Sequence, residues 1–353
     1  MTLLGRRDGG ESVGQGECRV DGADATLRLG SHRARDGTRG GRVRLDTDRP
    51  HAVVVVGKRG TGKSHTLGVL AEGVAAAPGV TPILLDTMGE FAGLAEPVSP
   101  RVRPSDLPAR AWPALVGLDR TSAAGALVWD AVADATTVDG AIAALGEEAA
   151  GGVGAGVQRV AAVHLRRARR WNVFDPDGLQ PAALVDRPGP VVVGCADLSE
   201  PAANAVARVL ARGCYDHCLA GDADRLPWLV FDEAHVRFDG IARPALDRLF
   251  TRGRAPGVSV VCATQRPAAL PATAVSQADL LVAHTVTSEA DVSKLAATRP
   301  TYLDGGLRTR LPDERGVALV VDDTSEAAHT VCVRARRTPH GGETPRALEI
   351  SRE

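Results

Sequence analysis

Lysine is nearly absent from this chain: of 42 basic residues three are Lys, at positions 58, 63 and 294, and the rest are arginine. A single arginine is therefore weak evidence of anything, whereas a lysine at a patterned position is informative. Aromatic residues make up only 3% of the chain, which argues against a base-stacking platform of the single-strand or RNA-recognition kind. The formal net charge is −1, so no overall basic field announces nucleic acid or an anionic membrane. Six cysteines, at 18, 195, 214, 218, 262 and 332, are too scattered for a disulfide framework, and a reducing, cytoplasmic setting is expected. Only Cys214 and Cys218 approach each other, in CYDHC, and a metal there would need two further ligands that the sequence does not offer. Buried free thiols are the expectation. No run of 18 apolar residues occurs, and the opening MTLLGRRDGGESVG lacks the apolar core of an export signal, so no membrane partner is expected.

What is present is an octapeptide, GKRGTGKS, at Gly57 to Ser64, preceded by the apolar run Ala52 to Val56 and followed by a helix-compatible stretch, His65 to Ala77. One of the three lysines falls on the position that the pattern G-x-x-x-x-G-K-[ST] reserves for it. Glycines let successive backbone N–H groups turn inward around phosphate oxygens, Lys63 reaches the terminal phosphates, and Ser64 holds Mg²⁺. The bound anion then sits at a helix N-terminus, where orphan amides and the helix dipole favour it. Gly57, Arg59, Gly60, Thr61, Gly62, Lys63, Ser64 and His65 form the candidate nucleotide-binding set.

The remaining chain is organised around that loop. At 353 residues and 44% hydrophobic content it can bury a sizeable core. Residues 1 to about 50 are rich in Gly, Arg and Asp and read as a short β-rich segment, with strands near Ala25–Leu29 and Arg42–Leu45. Thr81–Leu85 is a second apolar strand, so strand, helix and strand make a βαβ unit and a mainly parallel sheet. Asp86 and Glu90 should face the crevice that holds the loop. From about 97 to 189, prolines give way to Ala-rich stretches, Ala131–Ala150 and Gly156–Trp171, with a Gly-rich break at 151–155; this reads as a helical insertion. Its HLRRARRW segment suits a solvated face or subunit contact better than a nucleic-acid contact.

The core resumes at Pro190–Gly194, Pro201–Leu219 (helix) and Leu226–Phe231. That last strand ends in Asp232-Glu233: the first carboxylate suits the Mg²⁺ shell, the second suits activation of water. The strand Val258–Ala263 follows and ends in Thr264-Gln265, which puts the Gln265 amide where it can sense a γ-phosphate or orient water. Asp279–Ala283, the helix Ser288–Leu295, Val317–Val321 and Val331–Arg334 complete the pattern. An ATPase core over 51–337 and a tail over 338–353 are expected.

Taken together, GKRGTGKS, DTMGEF, LVFDEAH and RGRAPGVSVVCATQRP resemble the HerA/FtsK group of P-loop ATPases, and within it the HerA-like branch. The resemblance spans most of residues 50 to 335. It implies a RecA-like α/β core that assembles as a ring, commonly a hexamer, with ATP between subunits and hydrolysis driving movement on double-stranded DNA. It assigns Lys63 and Ser64 to phosphate and metal, Asp232 to Mg²⁺, Glu233 to catalysis, Gln265 to sensing, and Arg254 to an arginine finger offered to the neighbour, with Arg252 the runner-up. Asp86 and Glu90 match the branch's acidic element, as water or metal ligands or as anchors of the loop. The branch also implies a nuclease partner, but its N-terminal barrel is longer than the 50 residues here. A different function class fits the same residues: an ATP-gated protein-interaction module that moves no DNA.

Overall fold

The computed structural model describes residues 1–6, 25–34, 36–147, 154–297 and 306–339. Cys18, residues 151–153 of the Gly-rich break, and the tail beyond position 339 lie outside them. The strands are β1 (Thr2–Leu4), β2 (Thr26–Arg33), β3 (Arg39–Asp46), β4 (Ala52–Val56), β5 (Val80–Asp86), β6 (Val191–Gly194), β7 (Leu226–Phe231), β8 (Ser259–Thr264), β9 (Leu280–Ala283), β10 (Val317–Asp322) and β11 (Ala327–Val333). The helix after the phosphate loop is α1 (Lys63–Ala75). Five helices fill the stretch between β5 and β6: α2 (Trp112–Leu115), α3 (Ala123–Ala133), α4 (Val138–Glu147), α5 (Ala155–Arg169) and α6 (Pro181–Val185). The rest are α7 (Glu200–Ala220), α8 (Ala234–Phe238), α9 (Arg243–Arg252), α10 (Ala272–Ser276) and α11 (Glu289–Ala297).

All the strands join one sheet in the order β1-β3-β2-β11-β10-β9-β4-β8-β7-β5-β6. From β9 to β6 every neighbouring pair is parallel, while the β9/β10, β10/β11, β11/β2 and β2/β3 pairs are antiparallel. The central strands are buried on both faces, which is why they read as continuous Val/Leu runs rather than alternating ones. Their side chains still alternate in destination. Val54 and Val56 face the core made with α2 to α9, whereas Val53 and Val55 face the core made with α1.

Among the described residues that second core has one helix only. Leu67, Leu70 and Val74 of α1 are joined there by Leu4, Leu27, Leu29, Val43 and Leu45 from the N-terminal strands. Strands β1, β2 and β3 therefore cover sheet surface that further helices would otherwise have to cover. β2 comes so near α1 that a Cβ placed on Gly73 would lie 2.5 Å from Leu27 Cβ.

The insertion differs from its sequence reading at one point. The Ala-rich run does not continue through 134–137: α3 stops at Asp134, and α4 restarts where Thr137 Oγ1 accepts the Gly140 N–H at 3.0 Å. A hydroxyl placed to cap a new helix outweighs alanine's propensity to continue the old one. The two neighbouring cysteines, Cys214 and Cys218, are buried free thiols on α7, and burial pushes the Cys218 thiol up to about 11. Among the described residues no helix is long and apolar enough to cross a membrane.

After β11 the chain returns across α1. Glu72 Oε2 lies 2.6 Å from Arg334 Nη1, and its Oε1 accepts the N–H groups of Arg337 and Thr338 at 2.8 and 2.9 Å. Removing one partner of a buried pair strands the other charge, at a cost of about 3–5 kcal/mol. Glu72→Ala should therefore lower the free energy of unfolding by roughly 3 kcal/mol, read by urea denaturation. A loss near zero would mean that the returning segment contributes nothing to the fold.

Candidate nucleotide site

β4 enters the loop 57–62 and α1 leaves it, so the glycines and the first helical amides share one concave turn. Gly57 has φ 155° and Gly62 φ 121°, both unfavourable for side chains. A Cβ on Gly57 would also lie 2.7 Å from both His284 Cβ and Thr61 Oγ1. The loop is braced from below: Lys58 N donates to the Thr285 carbonyl at 2.8 Å, Gly316 N to the Thr61 carbonyl at 3.1 Å, and Thr61 Oγ1 to the Lys58 carbonyl at 2.8 Å. Lys58, Arg59 and Gly60 form its exposed tip.

Lys63 is 7% exposed, and its Nζ donates to the Lys58 carbonyl at 3.3 Å. Burial lowers its pKa, opposed by the negative charges of Glu233, Asp232 and Glu90. One ammonium thus stands among three carboxylates contributed by two other strand ends.

β8 lies between β4 and β7, so the tips of all three strands meet at one edge. There Ser64 Oγ donates to Asp232 Oδ2 at 3.0 Å, and Glu233 N donates to Asp232 Oδ1 at 2.8 Å. Burial, joined by the charges of Glu233 and Glu90 and only partly offset by those two hydrogen bonds, raises Asp232 to about 6. A hydroxyl and a carboxylate oxygen at this spacing suit a hard divalent cation that takes its other ligands from phosphate and water. Among the described residues no group of three or more His, Cys, Asp or Glu could hold a metal ion.

Glu233 is held in the left-handed region, φ 46° and ψ 43°, an unusual conformation for a residue with a side chain. Its Oε2 lies 3.2 Å from His235 Nδ1, which is itself 3.0 Å from Thr264 Oγ1. One ring proton cannot serve both partners well, and Glu233 Oε2 is left buried without a well-directed donor. Burial would raise the Glu233 pKa, but His235, Lys63 and the Gln265 N–H outweigh it and hold the carboxyl below its ordinary value. The side chain of Gln265 is exposed at the tip of β8.

Other candidate residues have different surroundings. Asp86 accepts the N–H groups of Met88, Glu90 and Phe91 at 3.2, 3.1 and 3.0 Å. It anchors the turn after β5 rather than the phosphate loop, and its oxygens are committed there. Glu90, carried by that turn, is the member of the acidic pair near Lys63. The His65 ring points away from the loop, with Nε2 2.8 Å from the Arg334 carbonyl. Arg254 and Arg252 precede β8 and stand at its amino end. A six-residue strand rises roughly 20 Å, so neither reaches the nucleotide edge of its own subunit.

His284 escapes the motif patterns altogether. It follows β9 directly and is fully buried beneath the loop. Its Nδ1–H donates to the Val317 carbonyl at 2.9 Å, which leaves Nε2 to accept the Thr66 hydroxyl at 2.8 Å. Burial, with the charges of Lys63 and His65, lowers its pKa to about 4 despite the Val317 bond. His235 and Thr264 are missed in the same way, since their role is to hold a neighbour and no spacing rule marks it. The one available signal is a polar residue at the end of an apolar run.

Residues 27–116 match the family model described as helicase HerA, central domain. This bears out the resemblance read from the motifs. Among solved structures, VirB4 of Thermoanaerobacter pseudethanolicus is similar at 16% identity, covering 90% of this chain and 98% of its own, with a TM-score of 0.61. The bacterial conjugative coupling protein TrwB is similar at 16% identity over 82% of this chain and 87% of its own, with a TM-score of 0.57. A second TrwB structure, holding the non-hydrolysable GTP analogue GDPNP, matches at 17% identity, 82% and 88% coverage, and a TM-score of 0.57. At such identities the likeness is one of fold: a RecA-like P-loop α/β core. No curated protein matches the chain.

Because His284 is depressed from 6.5 to about 4, the unfolded chain takes up a proton that the folded one refuses as pH falls through 6.5. That contribution to stability is intact above about pH 6.5 and shrinks toward pH 4, by about 3 kcal/mol. His284→Gln should flatten this part of the stability profile in denaturation series from pH 7 to 4. Equal slopes in the two proteins would remove His284 as the cause.

Proposed function

We propose that this chain, which carries a HerA-type central-domain match and the fold that goes with it, is a Mg²⁺-dependent ATPase that works as a ring on double-stranded DNA. The observation that carries the reading is the edge where β4, β8 and β7 end together, with Lys63 among Asp232, Glu233 and Glu90. The loop amides and Lys63 hold the β- and γ-phosphates, while Ser64 and Asp232 hold Mg²⁺, which when bound neutralises charge on the phosphate oxygens. Glu233, ionised at neutral pH, takes the proton of the attacking water, and the Gln265 amide orients that water.

The remaining requirement is a positive charge on the far side of the γ-phosphate. Arg254 is 57% exposed at the opposite end of the sheet, where a neighbouring subunit in a ring can receive it. Hydrolysis then depends on assembly, and a hexamer is the expected ring.

A second reading, an ATP-gated module that grips a protein and moves no DNA, is favoured by one feature of the insertion. Val160 and Val163 of α5 stand 44% and 52% exposed, about one turn apart. Such a pair suits a partner surface.

Steady-state ATP hydrolysis across a protein concentration series, with and without linear duplex DNA, separates the two readings. Turnover that rises cooperatively with concentration and is stimulated by DNA supports the motor; turnover indifferent to DNA supports the module. Lys63→Ala should lose tight nucleotide binding, and unaltered affinity would remove the phosphate-loop assignment. Glu233→Gln should bind ATP yet turn over about 10²–10⁴-fold more slowly. Arg254→Ala should keep binding and lose about 10³-fold or more in rate. Mixing the two defective proteins should restore some activity through hybrid interfaces; mixed rings with none would argue against a finger acting in trans.

A further inference from the structure

Arg254 is not a loose side chain at the amino edge of the sheet. Its Nη2 lies 3.2 Å from Asp279 Oδ2, and Asp279 is 4% exposed. The same carboxylate faces His51 Nδ1 at 2.6 Å, and its other oxygen accepts the Ala52 N–H at 2.6 Å. The His51 ring is buried in turn. Trp228 lies 5.7 Å from it, and a Cβ on Gly5 would lie 2.4 Å from its Cε1. Since a carboxylate can only accept, Nδ1 carries the ring proton. His51 Nε2 is then left buried with no partner among the described residues.

A mostly exposed arginine is thus paired with a buried carboxylate. An exposed pair contributes little to stability, and the half of this pair that is buried must be desolvated. Burial pushes Asp279 toward its neutral form; the His51 hydrogen bond, the charges of His51 and Arg254 and the Ala52 N–H together hold it below the ordinary carboxylate range. Asp279 heads β9 and Ala52 opens β4, and these two adjacent strands run to His284 and Gly57 at the phosphate end. The group that meets Arg254 is therefore fixed to the feet of the strands that carry the phosphate loop.

We infer that Asp279, oriented by His51, is a positioning residue that aims the Arg254 guanidinium at the nucleotide of the neighbouring subunit. The inference rests on the trans-arginine reading above. One Asp279 oxygen engages Nη2 and leaves Nη1 and Nε of the planar fork for phosphate oxygens. Without that contact, a long side chain samples many rotamers, and the γ-phosphate meets it correctly oriented only a fraction of the time.

A double-mutant cycle on the assembled full-length protein tests this. Asp279→Asn should lower kcat by about 10²-fold, with the nucleotide Kd changed less than about twofold. In an Arg254→Ala background it should lower kcat no further, because there is no longer a guanidinium to aim. His51→Gln, which keeps Asp279 and a donor on a more flexible side chain, should give a smaller loss that also vanishes in that background; it carries the test if Asp279→Asn does not fold. Equal losses in both backgrounds, or full turnover by Asp279→Asn, would overturn the positioning role and leave Asp279 as a group that only holds the sheet edge. Full turnover by Arg254→Ala is a separate result: it removes the arginine assignment itself, and the positioning inference with it.

Discussion

Parallel pairing of β9, β4, β8, β7, β5 and β6 imposes a polarity on everything the chain can do chemically. Every loop that leaves the carboxyl end of one of these strands opens on the same edge, and every loop that enters an amino end opens on the other. Lys63, Ser64, Asp232, Glu233, Gln265 and Glu90 all fall on the first edge although up to about 200 residues separate them in sequence. Arg252, Arg254, Asp279 and His51 all fall on the second. The strands are rigid, buried on both faces, and roughly 20 Å long at β8, so no local adjustment carries a group from one edge to the other. On the trans-arginine reading proposed above, such a subunit would carry one part of a phosphoryl-transfer site at each end, and a second copy set edge to edge would join them.

A phosphate loop faces a second constraint, since it must point backbone amides at a space that is vacant until nucleotide arrives. The loop cannot use those amides to hold itself, so its other groups must. Lys58 and Thr61 are tied through their backbones to Thr285 and Gly316, and the imidazole of His284 fills the volume under Gly57 and Gly62. A charged ring there would lie against Lys63. Its depressed pKa keeps it neutral at the pH where the loop must accept an anion, so the brace adds packing and one acceptor for Thr66 without adding charge.

These constraints explain what could be read from the residues alone. Groups that act on phosphate are set by pattern: GKRGTGKS dictates its own turn, and an apolar strand followed by two carboxylates puts Asp232 and Glu233 at a strand tip. The strand-helix alternation from Ala52 to Val333 was legible because the central parallel strands are nearly continuous apolar runs. Groups that act on other groups were not legible. Asp86 has the composition of a ligand, but its oxygens are consumed by the turn that follows it, and nothing in DTMGEF says which way a carboxylate faces. His284, His51 and Asp279 are single polar residues at the borders of apolar runs, and their meaning lies in contacts spanning 25 to 228 positions. β2 and β3 were visible as strands and β1 was not, whereas their role in covering α1 depends on a sheet order that no local signal carries.

The shortage of lysine sharpens the electrostatic argument. In a chain whose cations are almost all guanidinium groups, arginine count says nothing about site. Burial of the partner does. Arg334 meets a buried Glu72, and Arg254 meets a buried Asp279. In the first case the arginine is itself buried, its other donors go to the Arg28 and Val69 carbonyls, and the result closes the fold. In the second the guanidinium remains mostly in solvent with donors to spare, while the chain bears the cost of a desolvated carboxylate and an unsatisfied imidazole nitrogen to hold one end of it. On the trans-arginine reading proposed above, the donors of Arg254 that Asp279 leaves free would be used by the next subunit.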